Sequence, residues 1–345
     1  MKLYLAPMEG VTDFVMRDLL TQSGVIDKCF TEFLRVTQHL HPHSVFYKNC
    51  PELKMGSRTR AGTPVFLQLL GGQAQPLAEN AARAAELGAL GIDLNFGCPA
   101  KTVNRHDGGA VLLQYPQRLY DIVKQVRAAV PRKIPVSAKM RLGFQDTSLA
   151  LENAQALNEA GAASVTVHCR TKIQGYRPPA HWEWIPKLSE RLSIPVVANG
   201  DIASLEDFNK CREVTSSQHF MIGRGAISNP LLFTQIRNSL QKSELRPGQN
   251  GKQGSEQKAD QSGWQYIKPM IPVFFEACTT TINMHFATAR TKQWMRVLAP
   301  TDPEAKEIFD RLKALKAQDF QKGIEELSSS FSTNDSRPGF DPREN

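Results

Sequence analysis

Short runs of consecutive apolar residues alternate with longer segments of helical periodicity along the first 240 residues. Eight of the short runs are predicted to be strands, at residues 3–6, 29–32, 65–70, 92–95, 136–140, 164–168, 196–199 and 220–222. Their continuous apolar character is typical of parallel strands that are buried on both faces. The pattern therefore predicts an α/β fold built on a parallel sheet.

Helical periodicity between these strands is clearest at residues 75–87, 117–130, 149–160 and 205–212. Asp13 and Ser204 are suited to cap helix N-termini, and Gly88 and Gly161 are suited to end helices. Eight strands alternating with helices predict a (β/α)8 TIM barrel over residues 1–242, with a doubly wound sheet as the alternative.

The pattern changes after residue 242. Residues 243–263 are rich in Gly, Gln, Lys and Ser, which predicts a flexible linker. Helical patterns at 271–280, 284–298 and 303–322 predict a small all-helical domain over residues 264–327. The composition of residues 328–345 is typical of a disordered tail.

Composition narrows the class of protein. No apolar run approaches the roughly 20 residues that span a bilayer, and the N-terminus lacks a signal-peptide pattern, so a cytoplasmic location without membrane attachment is expected. Six cysteines without a CxxC pair indicate neither disulfides nor zinc. His39, His41 and His43 lack an acidic or cysteine partner at a usable spacing, so no metal site is expected. A monomer is expected.

The net charge of +8 is concentrated locally, because residues 122–145 and 279–300 contain basic residues and no acidic ones. Such stretches form either solvated surfaces or surfaces that bind a polyanion such as nucleic acid.

Polar residues follow nearly every predicted strand, at the edge where barrels carry their active sites. Gly200, Gly223 and Arg224 follow the last two strands and are suited to hold a phosphate, although glycines there also make tight turns. Lys139 is suited to form a Schiff base or to stabilise a developing anion.

Cys98 is the most specific feature, because it follows a strand within a Gly-Cys-Pro turn and precedes a glycine-rich loop. It could act as a nucleophile or as a proton donor. A neutral thiol that acts as an acid fits this position better, since no base is obviously dedicated to it.

The strand-end motifs resemble those of the tRNA-dihydrouridine synthases. They are APMEGVTD (6–13), LNFGCPAKTV (94–103), GGAVLL (108–113), KMRLG (139–143), VHCRT (167–171), ANGDI (198–202) and MIGRGA (221–226). The resemblance implies an FMN-binding barrel with a helical tRNA-binding domain. It also implies that NADPH reduces FMN, and that the reduced flavin then converts uridine in tRNA to 5,6-dihydrouridine.

The resemblance also implies residue roles. Cys98 would be the general acid, and Asn95 would hold the target uracil. The residues expected to bind FMN are Pro7, Met8, Glu9, Gln68, Lys139, His168, Asn199, Gly200, Asp201, Gly223 and Arg224.

Three further segments, TEFLRV (31–36), RTKIQGYR (170–177) and ARTKQW (289–294), resemble the branch that modifies uridine 16. The expected tRNA contacts, besides Asn95, are Arg35, Arg141, Tyr176, Arg290, Lys292 and Gln293. The Arg105-His106-Asp107 segment is bulkier and more charged than the family pattern. Alternative functions are a flavin barrel acting on a free pyrimidine, as in dihydroorotate dehydrogenases, a tRNA-binding module without catalysis, and a Lys139 aldolase.

Overall fold

The computed structural model describes residues 1–244 and 263–331. These residues form two compact units that divide between Gly223 and Arg224. The division lies earlier in the chain than the boundary expected at residue 242, and the domain limits stay a prediction. The expected linker lies almost wholly outside the described residues, as does most of the expected tail.

The first unit is a closed barrel of parallel strands. Nine strands run in chain order, β1 Lys2–Leu5, β2 Lys28–Phe30, β3 Leu34–Arg35, β4 Val65–Leu70, β5 Ile92–Phe96, β6 Val136–Gly143, β7 Val165–Thr171, β8 Val196–Asn199 and β9 His219–Ile222. Pairing follows the order β2-β1-β9-β8-β7-β6-β5-β4, and a β2–β4 pairing closes the ring of eight strands. The closure confirms the predicted barrel and excludes a doubly wound sheet.

Each of the eight predicted strands overlaps one barrel strand. The ninth, β3, is a two-residue strand that pairs only with β4, and it was not predicted. Two residues with no apolar run around them carry too weak a pattern to be recognised.

Helices alternate with the strands along the chain, and each of the four helical patterns predicted between the strands overlaps a helix. Those of the first unit are α1 Phe14–Thr21, α2 His43–Asn49, α3 Ala74–Glu86, α4 Lys101–Arg105, α5 Pro116–Ala129, α6 Ala150–Glu159, α7 Trp184–Ser189 and α8 Leu205–Thr215. The side chains of Asp13 and Ser204 accept backbone N–H bonds at the starts of α1 and α8, so both predicted caps are confirmed. Gly88 and Gly161 follow α3 and α6 with φ of +93°, in the left-handed conformation typical of a helix end.

An aromatic layer fills the barrel interior below the strand ends. Tyr4, Phe30 and Phe66 pack edge to face, with ring centroids 6.4 Å and 5.8 Å apart. Phe66 precedes Gln68 by two residues on β4, so the two side chains share the inner face. The aromatic layer therefore packs beneath the polar side chains of the barrel mouth.

The second unit is helical. Its helices are α9 Arg224–Ser228, α10 Leu232–Glu244, α11 Trp264–Ile267, α12 Met270–Thr281, α13 Met284–Leu298, α14 Pro303–Leu312 and α15 Ala317–Ser329. The prediction of one continuous helix over 303–322 was wrong, because α14 ends at Leu312 and α15 begins at Ala317. The side chains of Phe274 and Trp294 form its core, with ring centroids 5.1 Å apart. No helix within residues 1–244 and 263–331 has the length and apolar character that crossing a bilayer requires.

A buried ion pair anchors the loop after β1. Arg17 on α1 and Glu52 are both almost fully buried, and their side chains form two hydrogen bonds of 2.8 Å. Arg17 also donates to the Thr12 carbonyl oxygen at 2.8 Å. Thr12 in turn accepts the Met8 N–H at 2.7 Å on its hydroxyl oxygen. The ion pair therefore holds the Met8–Thr12 loop at the barrel mouth.

We expect Glu52→Gln to lower the free energy of unfolding by about 3–5 kcal/mol, because it leaves the buried Arg17 charge without a counter-ion. The control is Arg60→Gln, which removes a more exposed partner whose Nε lies 3.8 Å from Asp18 and should cost about 0–1 kcal/mol. Urea unfolding of both variants measures the difference. Equal losses would contradict the assignment.

Candidate active site

The register of the barrel brings the polar strand-end residues into one inner layer. Asn95 pairs with Lys139 across β5 and β6, and His168 pairs with Asn199 across β7 and β8. Arg141 pairs with His168. Residues directly opposite in neighbouring strands point to the same face of a sheet, so these side chains share the interior of the mouth.

Asn95 holds the backbone that carries the thiol. Its side-chain oxygen accepts the N–H of Gly97 at 2.9 Å and that of Cys98 at 3.0 Å. The Asn95 amide nitrogen donates to the side-chain oxygen of Gln68 at 2.8 Å. Cys98 is half-buried directly above the polar layer, so the strand end sets the position of the thiol.

The loop after Cys98 returns to it. The Cys98 carbonyl oxygen accepts the Ala110 N–H at 3.1 Å and the Asn104 side-chain amide at 3.0 Å. Gly109 has φ of +67°, and a Cβ atom there would lie 2.8 Å from the Cys98 carbonyl oxygen. Only glycine allows this close approach.

The charged Arg105-His106-Asp107 segment of this loop is bound to a neighbouring helix through Asp107. The carboxylate of Asp107 binds the guanidinium of Arg118 on α5, with one pair of atoms 2.8 Å apart. Arg118 also donates to the Gly72 carbonyl oxygen at 2.9 Å. Asp107 therefore ties the end of the Cys98 loop to the β4 side of the mouth, a role that the sequence pattern did not reveal.

The environment of the mouth opposes charge on the thiol. Burial raises the pKa of Cys98, and the negative charge of Glu9 adds to the increase. Desolvation and the carboxylate of Glu32 raise the pKa of Glu9 to about 7. Burial and the charge of Arg141 lower the pKa of Lys139 to about 8. At neutral pH the mouth thus holds a neutral thiol and a cationic lysine.

Arg141 binds backbone rather than facing solvent. It is 2 % exposed, and it donates to the carbonyl oxygens of Gly97 at 2.9 Å, Thr171 at 3.1 Å and Gly175 at 2.8 Å. Its guanidinium also lies 5.2 Å from the ring centroid of Tyr176, which is 54 % exposed. Arg141 therefore joins the thiol-bearing turn to the loop after β7.

Arg170 is a functional candidate that the sequence reasoning did not select. It is fully buried, binds the carboxylate of Asp201, and has its Nη1 3.5 Å from His168 Nε2. Arg170 shares strand parity with His168, two residues earlier, and this was the signal that could have identified it.

The turn after β8 lies against His168. Gly200 has φ of +122°, and a Cβ atom there would lie 3.1 Å from His168 Cδ2. Asp201 follows with φ of +53°. Gly223 ends the first unit beside Met8, since a Cβ atom at Gly223 would lie 3.3 Å from Met8 Sδ. Pro7 and Met8 follow β1 after Ala6 and are half-buried.

The remaining predicted contacts lie outside this layer. Arg35 ends β3 on the barrel. Arg224 begins α9, and Arg290, Lys292 and Gln293 lie on α13 of the second unit. Arg290 is buried and its guanidinium binds the Gln293 side chain, and Lys292 binds the Leu315 carbonyl oxygen.

Comparison with known proteins adds a family to this geometry. The dihydrouridine synthase (Dus) model matches residues 4–325. The chain is 48 % identical over 313 residues to a tRNA-dihydrouridine(16) synthase of Pseudomonas syringae pv. tomato, covering 91 % of this chain and 94 % of that protein. It is 44 % identical over 324 residues to a tRNA-dihydrouridine(16) synthase of Neisseria meningitidis serogroup B, covering 94 % and 93 %.

Among solved structures, a 2-naphthoyl-CoA reductase complex aligns with a TM-score of 0.53 at 10 % identity, over 69 % of this chain and 50 % of that one. This similarity concerns the fold alone. The family model spans both the barrel and the helical unit, and relatives of nearly equal length share almost half of the aligned residues. The chain therefore belongs to the dihydrouridine synthase family, a family of oxidoreductases.

Proposed function

We propose that this protein reduces a uridine in the tRNA D-loop, uridine 16, to 5,6-dihydrouridine, using FMN as the bound cofactor and NADPH as the reductant. The observation that carries the proposal is the position of Cys98. Its thiol is half-buried and uncharged, three residues after Asn95 and beside the strand end that carries Lys139. The names of the similar proteins support the choice of uridine 16.

The residues of the mouth fit a flavin. Lys139 has a pKa of about 8 and is cationic at neutral pH, so it can bind the electron-rich edge of an isoalloxazine ring. Asn95 retains one amide N–H after it donates to Gln68, and Gln68 retains one after it donates to Asp93.

A phosphate fits at the other side of the mouth. The buried Nε of Arg170 has no hydrogen-bond partner within the described residues. The Arg170 side chain binds Asp201, the residue that follows Gly200, and the absence of a side chain at Gly200 lets an anion approach the backbone there. Asn199, Asp201 and Gly223 are the other barrel residues that we expect at the phosphate end of FMN.

The chain's own residues define the rest of the reaction. FMN, when bound and reduced, would supply the hydride for C6 of the uracil ring. Asn95 holds the base by its amide, and the Cys98 thiol gives its proton to C5 as the double bond is lost. The Asn95 and Ala110 contacts to the Cys98 backbone keep the thiol in place during this transfer.

A base can reach this mouth only after it leaves the RNA stack. Basic residues that contact phosphate would provide most of the affinity for tRNA, and they would orient it without reading the sequence. Tyr176 is exposed beside Arg141, and Arg35, Arg290, Lys292 and Gln293 stay predicted contacts to tRNA.

The first test maps dihydrouridine in tRNA from cells with and without this gene. We expect loss of dihydrouridine at position 16 alone, and the purified protein should carry a flavin absorption spectrum. Turnover of free uridine but not of tRNA would favour the free-pyrimidine alternative. A protein that cannot take up FMN would exclude the proposal.

Cys98→Ala should retain FMN and tRNA binding, and it should slow single-turnover reduction of tRNA by roughly 10²–10⁴-fold, because the proton donor is removed. Cys211→Ala is the matched control, since Cys211 is a buried thiol on α8 and should leave the rate unchanged. An unchanged rate in Cys98→Ala would remove the acid role.

Alkylation by iodoacetamide gives a second readout of the thiol. Because burial raises the pKa of Cys98, we expect slow alkylation at neutral pH and a midpoint above the value of about 8.5 for a free cysteine. The Cys98→Ser variant provides the background from the other, buried cysteines. Fast alkylation at neutral pH would instead indicate an activated thiolate.

A further inference from the structure

A chain of hydrogen bonds runs from a buried carboxylate to the backbone of Cys98. Asp93 on β5 is fully buried, and it accepts the Ser137 hydroxyl at 2.6 Å and the Gln68 amide nitrogen at 2.7 Å. Gln68 accepts the Asn95 amide nitrogen at 2.8 Å. Asn95 accepts the Cys98 N–H at 3.0 Å.

Which group donates and which accepts in each of these hydrogen bonds is fixed by the Cys98 N–H at one end of the chain and the Asp93 carboxylate at the other. The Cys98 N–H can only donate, so the atom of Asn95 that faces it must be oxygen. The nitrogen of Asn95 then faces Gln68, which must present its oxygen. The nitrogen of Gln68 is consequently left facing Asp93, and a carboxylate is the side chain that accepts hydrogen bonds on both of its oxygens.

Burial makes this arrangement hard to reverse. Gln68 is fully buried, so a flipped amide would oppose its oxygen to the Asp93 carboxylate away from the bulk solvent that relieves such a mismatch at a surface. Burial raises the pKa of Asp93, but the hydrogen bonds from Ser137 and Gln68 and the charge of Lys139 oppose the increase.

We propose that Asp93 is a positioning residue for the Cys98 thiol, acting through the amides of Gln68 and Asn95. Both amide oxygens accept hydrogen bonds within the chain, so each amide has one N–H left to donate. Such donors suit a partner with carbonyl oxygens, such as a pyrimidine. The link to catalysis rests on the proposed function, whereas the fixed direction of the chain does not.

A double-mutant cycle on the full-length protein tests the direction. Asn95→Asp alone places carboxylates at both ends of the Gln68 amide, and we expect its Tm to fall by roughly 3–8 °C. Adding Asp93→Asn supplies a donor at the other end, so the two links through the Gln68 amide can reverse while the Cys98 N–H still donates to residue 95. We therefore expect the double variant to have a higher Tm than Asn95→Asp.

The matched control combines Asn95→Asp with Ser137→Ala, which removes the other hydrogen bond to Asp93 and cannot reverse the chain. It should show no recovery of Tm. A double variant that is no more stable than Asn95→Asp alone, including one that does not fold, overturns the proposal.

A kinetic measurement tests the positioning. Asp93→Asn should lower the single-turnover rate of tRNA reduction by at least about tenfold. It should leave the KM for tRNA unchanged, because the substitution misplaces the Cys98 thiol for proton transfer and removes no contact to tRNA. A raised KM with an unchanged rate overturns the positioning role. Wild-type protein that forms no dihydrouridine would refute the proposed function, whereas the Tm cycle would still report on the hydrogen-bond chain.

Discussion

The closed parallel register of the barrel is the constraint on which the site depends. In a closed sheet, alternate residues of every strand point inward, and the pairing of Asn95 with Lys139 and of His168 with Asn199 places distant parts of the chain at one level. The aromatic layer of Tyr4, Phe30 and Phe66 fills the space beneath. The polar side chains therefore remain at the mouth, where a ligand can reach them.

Desolvation then determines the chemistry that this layer can perform. It raises the pKa of the Cys98 thiol and lowers that of the Lys139 ammonium, so each group shifts toward its neutral form. For a thiol this means retaining a proton to donate. For Lys139 a pKa of about 8 still leaves a positive charge at neutral pH, which suits an electron-rich partner.

Charged side chains hold the loops of the barrel mouth together. Arg141 joins the turn at Gly97 to the loop at Gly175, and Asp107 joins the end of the Cys98 loop to Arg118. Arg17 does the same for the Thr12 end of the loop after β1. Charged side chains in this protein thus act as internal connections as well as surface groups.

The sequence by itself determined the barrel, its eight strands and the residues at the strand ends, because burial on both faces imposes continuous apolar runs and each run ends where the chain meets solvent. Cys98, Lys139 and His168 were recognisable for the same reason. The two-residue strand β3 and the break between α14 and α15 were not predicted, because neither is long enough to show a repeating pattern of apolar residues.

Only the tertiary structure decided which polar groups meet. Asp93 and Gln68 lie 25 positions apart, and Asp107 and Arg118 lie 11 apart, so no local pattern predicts either contact. Arg141 could be placed on the correct face by parity, but its burial against three carbonyl oxygens depends on loops from two neighbouring strands. Residue types and periodicity are local properties of the chain, whereas hydrogen-bond partners and desolvation arise when the sheet closes.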